Sequence, residues 1–83
     1  MAGRVLYKSS ISRDLKKINS SVRQRILRQI EATLASDPRS GDPLHGEFEG
    51  LFKLRVGDYR VIYAIAGSDV LVLRIRHRGK AYG

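Results

Sequence analysis

Cysteine is absent from the chain. Neither disulfides nor thiolate-held metals can therefore reinforce its interior, and cysteine-based catalysis is excluded. Nowhere do about eighteen apolar residues follow one another, as a membrane-spanning helix would need, and "MAGRVLYKSS" has no apolar run of signal-peptide length. A cytoplasmic protein without membrane contact is expected. Histidine is scarce too. His45 and His77 have no carboxylates at ligand spacing around them, so neither a metal site nor a cofactor is expected. No P-loop, Gly-rich dinucleotide motif or nucleophile elbow occurs.

Acidic residues are the next shortage, 8 Asp and Glu against 16 Lys and Arg, for a net charge of +8. The excess is uneven: residues 1–36 carry eight basic and two acidic side chains, 37–50 one and four, 51–83 seven and two. Basic ends flank an acidic loop. In a small domain this points to a polyanionic partner, nucleic acid before an acidic protein, and an anionic membrane last.

What is present suits one domain over residues 1–83, 42% apolar and 29% charged, well above a disordered composition. A chain this short buries only about 60 to 65% of the surface that its unfolded form exposes, so the core must be small and well filled. "RVLYKS" (4–9) reads as a short strand, with Ser10 or Ser12 able to cap a helix beginning there. Ile11, Leu15 and Ile18 mark one stripe of a two-turn helix, with Asp14 placed to complement its N-terminal dipole. After the capping site "NSS", Val22, Ile26, Ile30 and Leu34 repeat every fourth residue beside Leu27, predicting a helix from about 21 to 35. Arg23, Arg25 and Arg28 take its other sides. "SDPRSGDPLHGEFEG" (36–50) holds both prolines and reads as a surface loop.

From Leu51 the period becomes two. "LFKLRV", "YRVIYAIA" and "VLVLRIRH" form an expected antiparallel meander, giving the order βααβββ, an α+β fold with both N-terminal helices on one face of an antiparallel sheet. Gly57 as the first of two loop residues fits a type II′ turn. Val56 then pairs with Tyr59, Leu54 with Val61, Lys53 with Ile62, and Arg55 directly opposes Arg60. Lys53, Arg55 and Arg60 share one face, while Phe52, Leu54, Val56, Val61, Tyr63 and Ile65 share the other. On the last strand Leu71, Leu73 and Ile75 are assigned to the core, with Val70, Val72, Arg74, Arg76 and Arg78 turned away. Bringing those arginines beside Lys53 and Arg60 requires either a three-residue loop, Gly67-Ser68-Asp69, or a bulge; otherwise charge would enter the core. No carboxylate is expected on this cationic face, and Glu47 and Glu49 are read as loop charges. His77 has core parity and is expected at the core edge; His45 is expected on the surface loop.

The stretch "GEFEGLFKLRVGDYRVIYAI" with the later "RIRHRGKAY" resembles the RelE/ParE toxin family of bacterial toxin–antitoxin systems over essentially the whole chain. The resemblance implies the microbial-ribonuclease-like RelE fold. For the RelE-like branch it implies a type II toxin with endoribonuclease activity, an mRNA interferase cutting messenger RNA in the ribosomal 30S A site and so inhibiting translation. The implied catalytic residues are Lys53, Arg55, Arg60, Arg78 and Tyr82, with Arg74, Arg76, Lys80, Arg23, Arg25 and Arg28 expected to bind RNA. The implied partners are a cognate RelB-like antitoxin, the ribosome and mRNA, with a monomer alone and a hetero-oligomer with antitoxin. A ParE-like inhibitor of DNA gyrase without ribonuclease activity is the alternative. A non-catalytic RNA-binding module ranks last, because stacking aromatics are scarce on the exposed face.

Overall fold

In the computed structural model, which describes residues 3–77 and Gly79, both helices precede the change of period at Leu51 and the three long strands follow it. The elements run β1 (Val5–Tyr7), α1 (Ile11–Lys16), α2 (Ser20–Leu34), β2 (Asp42–Pro43), a 3-10 turn (Gly46–Phe48), β3 (Leu51–Val56), β4 (Tyr59–Ala66) and β5 (Asp69–His77). The two-residue β2 lies inside the expected loop, where Asp42 and Pro43 pair antiparallel with Lys53 and Phe52.

Asn19 caps α2: its Oδ1 accepts the backbone N–H of Ser21 at 3.0 Å and the Ser21 hydroxyl at 2.8 Å. Ser10 precedes α1 without a side-chain cap. The fourfold stripe of α2 buries Ile26, Ile30 and Leu34 to 1% exposure or less, and Val22 and Leu27 pack at its margin. These meet Ile11 and Ile18 from the α1 region and Val56, Val61, Tyr63, Val70, Val72 and Ile75 from the sheet. Each fully buried aliphatic side chain contributes about 1.5–3 kcal/mol, which makes this contact the main adhesive between the layers. Tyr63 enters it without an orphaned hydroxyl. The phenol donates to Pro38 O at 2.8 Å and accepts from Gly41 N–H at 3.0 Å, tying the loop to the core.

The sheet order is β1-β5-β4-β3-β2. The β3–β4 register is the one that the turn chemistry dictates, Val56↔Tyr59, Arg55↔Arg60, Leu54↔Val61 and Lys53↔Ile62. Gly57 sits at φ 59 with no described non-glycine residue at positive φ, as a type II′ turn requires.

Two expectations about the sheet need correction. It is mixed, because β1 runs parallel to β5 through Val5↔Val70, Leu6↔Leu71 and Tyr7↔Val72. Both helices lie between these strands in sequence, a connection long enough for a parallel crossover. The second correction concerns β5. Ala66 pairs with Asp69 across a two-residue loop, so the three-residue alternative is not used. The register shifts instead between Ile62↔Arg74 and Tyr63↔Val72, which leaves Leu73 as a bulge. Before it, Val70 and Val72 point into the core at 1% and 0% exposure; beyond it, Ile75 does so at 3%. Leu71 and Leu73 therefore belong to the open face, the reverse of their expected sides. An inserted residue breaks strand alternation once, which lets β-branched residues fill the core below while arginines stay out above.

β1 covers β5 only as far as Val72. Past that point the sheet edge is closed by Asp14, whose Oδ2 accepts Ile75 N–H at 3.1 Å and lies 3.4 Å from Arg74 Nε. Asp14 thus does more than complement a helix dipole: it satisfies a strand donor that would otherwise be orphaned.

Candidate functional site

The bulge and the hairpin register together put cations in cross-strand rows on the face that the helices leave open. Arg55, Arg60 and Arg76 form one row across β3, β4 and β5, and Lys53, Ile62 and Arg74 form the next. Directly opposed side chains have Cβ atoms about 4.5–5.5 Å apart, and like charges at that spacing destabilise a sheet. Such a face gains from an anion placed over it.

Above these rows lies a hollow of about 590 Å³. Lys53, Arg60, Arg74 and Arg76 line it, joined by Lys8 from just after β1. Its floor and one wall are apolar: Leu44, Phe48, Leu51, Ile62 and Leu73. Arg55 stands exposed opposite Arg60, outside the lining of the hollow. Leu73 reaches the hollow only because it is the bulged residue, and Lys8 and Phe48 arrive from outside the meander. None of these three is evident from strand parity. The signal for Phe48 is its position as the one aromatic of an acidic, glycine-rich loop.

Phe48 ends the 3-10 turn and is 54% exposed. Gly46 at φ 71 and Gly50 at φ 98 bracket the turn, both in the left-handed region where a side chain would strain the backbone. The two glycines thus permit a tight turn that presents an aromatic ring. Glu47 and Glu49 flank it in the chain, and neither lines the hollow. Two carboxylates do reach these cations, against expectation: Asp14 on α1 pairs with Arg74 at 3.4 Å, and Asp42 stands opposite Lys53 on β2, at the sheet's edge, because the expected loop pairs there.

The remaining candidate residues divide by location. Arg78, Lys80 and Tyr82 lie outside the described residues. Arg23, Arg25 and Arg28 are on α2, which covers the opposite face of the sheet, so they are not brought together with the hollow; Arg23 donates to Leu15 O at 3.4 Å. His77 packs edge-on against Tyr59, ring centroids 5.1 Å apart, on the helix side of β5. His45 is exposed on the loop. Among the described residues no three of His, Asp and Glu gather at a spacing that would hold a metal ion. The lysine and arginine side chains that line the hollow are groups able to donate hydrogen bonds and charge to an anion.

A family model described as the ParE toxin of type II toxin–antitoxin systems, parDE, matches residues 5–82. The toxin RelE of Mycobacterium tuberculosis is 32% identical over 81 residues, covering 94% of this chain and 84% of its own length. Toxin RelG of the same organism is also 32% identical over 81 residues, covering 94% of this chain and 93% of its own length. Among solved structures, the chain in the Mycobacterium tuberculosis RelBE2 toxin–antitoxin complex superposes with a TM-score of 0.87 at 30% identity, covering 96% of this chain and 95% of that one.

Proposed function

The chain belongs to the RelE/ParE family of type II toxin–antitoxin toxins, and from that premise we propose that it is an endoribonuclease that cuts messenger RNA in the ribosomal A site. The observation that carries this reading is the convergence of Lys53, Arg60, Arg74 and Arg76 on one hollow. In the reaction, the ribose 2′-oxygen attacks the adjacent phosphorus and the bond to the 5′-oxygen breaks. The 2′-proton goes to a base, the leaving 5′-oxygen takes up a proton, and a 2′,3′-cyclic phosphate remains. Between these states the phosphate gains a negative charge. Cations fixed in rows over the phosphate stabilise that dianionic arrangement more than the monoanionic ground state, which is the condition for catalysis. Lys53 and Arg60 are assigned to the phosphate, with Arg55 adding charge at the rim. Arg78 is assigned to the leaving oxygen and Tyr82 to stacking on a base or ordering the hydroxyl. Arg74, Arg76 and Lys80 hold the flanking strand.

The structural relative is a complex with an antitoxin. A RelB-like antitoxin is proposed as the partner that neutralises this chain too, by covering the cationic face. The family model named for ParE favours a second reading, inhibition of DNA gyrase by binding. The test adds purified protein to programmed ribosomes and maps mRNA 5′ ends, with Arg60→Ala and the Arg60→Ala, Arg78→Ala double variant beside the wild type. Cuts in the A site that fall about 10²- to 10³-fold on loss of Arg60 are expected, by analogy with removal of one oxyanion donor. Intact mRNA together with arrested gyrase supercoiling would establish the second reading instead.

A further inference from the structure

We propose that Phe48 is a base-stacking platform that holds one nucleobase of a single-stranded RNA beside the cationic rows, so that the hollow reads bases as well as phosphates. This rests on the reading of the hollow as an RNA site and gives Phe48 a role there. Among the described aromatic residues, Phe48 alone lies on the open face. Phe52 stacks against Tyr63, centroids 5.5 Å apart, Tyr59 packs against His77, and Tyr7 borders the core. A phenylalanine 54% exposed on a turn shaped by two left-handed glycines leaves an apolar ring in water that a stacking partner would cover. It shares the lining of the hollow with Lys53 and Arg60, and the floor between them is aliphatic.

A ligand that matches this wall has flat apolar faces and negative charges alternating along it, which describes a single nucleic-acid strand. Arg60 and Arg76 are directly opposed across the ladder, and a guanidinium fork suits a phosphodiester's two free oxygens as well as a carboxylate. It is the exposed ring beside the cations that favours a nucleic-acid strand over an acidic peptide.

The chain contains no tryptophan, so Phe48→Trp places a single indole reporter at the site. Its fluorescence is titrated with a short oligoadenylate, with an abasic strand carrying the same number of phosphates, and with a polyglutamate peptide. Saturable quenching by the oligoadenylate that the abasic strand does not reproduce is the expected result. In parallel, the affinity of wild-type protein for a labelled oligoadenylate should exceed that of Phe48→Leu by roughly 5- to 150-fold, the equivalent of one stacked base. The abasic strand should bind both equally. The proposal is overturned if the two strands quench alike, if wild type and Phe48→Leu bind the oligoadenylate equally, or if only the acidic peptide changes the signal, which would assign the ring to a protein partner. Base-dependent quenching by a protein that cuts no mRNA on ribosomes would sustain the stacking role and remove the nuclease reading. Ribosomal cleavage indifferent to Phe48→Leu, with equal binding, would do the reverse.

Discussion

A tyrosine on the core side of the sheet shows how a single group couples the layers. The Tyr7 hydroxyl on β1 donates to Glu31 Oε2 on α2 at 3.3 Å. Its pKa is pushed up to about 12, by burial first and then by the charge of Glu31. A phenol whose folded pKa exceeds its unfolded value of about 10 supports the fold fully below pH 10. That support falls away as pH rises toward the folded value. Denaturant unfolding of wild type should therefore lose stability between about pH 10 and 12, and Tyr7→Phe should lose measurably less over the same interval. Equal slopes would show that the pair does not couple β1 to α2. The opposite shift occurs at Asp69, whose carboxyl is held below its ordinary range by the backbone N–H of Arg4 at 2.9 Å and then by the Arg4 side chain. This contact fastens the chain just before β1 to the start of β5.

At the scale of elements, the bulge at Leu73 decides which side of β5 carries charge. Deleting Leu73 would restore a regular ladder and turn Arg74 and Arg76 toward Ile26 and Ile30, exchanging them for Ile75. Burying unpaired cations costs several kcal/mol each, comparable with the whole stability of a small domain. The deletion is expected to abolish the cooperative thermal transition seen by circular dichroism, whereas Leu73→Ala should keep it. A folded deletion variant would mean that the ladder can re-register elsewhere. The β3–β4 hairpin was legible in the sequence because a two-residue turn beginning with Gly57 leaves one register, which placed Arg55 opposite Arg60 from local chemistry alone. The fourfold stripe in α2 likewise identified Ile26, Ile30 and Leu34. Parity could demand a correction on the last strand but could not position it, since Val70, Leu71, Val72 and Leu73 are all apolar and either side accepts them. The parallel pairing of β1, the edge closure by Asp14 and the arrival of Lys8 and Phe48 depend on how distant segments meet. A periodicity says which way a residue points on its own element, and nothing about what stands there.

For the whole molecule, five of the sixteen basic residues, Lys53, Arg55, Arg60, Arg74 and Arg76, are gathered in the cross-strand rows. Binding to single-stranded RNA should therefore weaken as salt rises, with a slope of about −0.7 in log K against log salt for each phosphate neutralised. Arg76→Ala should flatten that slope by about one such increment, while Arg28→Ala, on the helical side, should leave it nearly unchanged. Similar losses from both would mean that the strand wraps the protein instead of resting in the hollow. The sheet order has an outcome for biosynthesis. Its first strand is partnered only by its last, which also brings Arg74, Arg76 and the floor residue Leu73. Until that segment has been made, β1 has no neighbour in the sheet and the cationic wall lacks two of its arginines, so one strand pairing completes both the fold and the hollow.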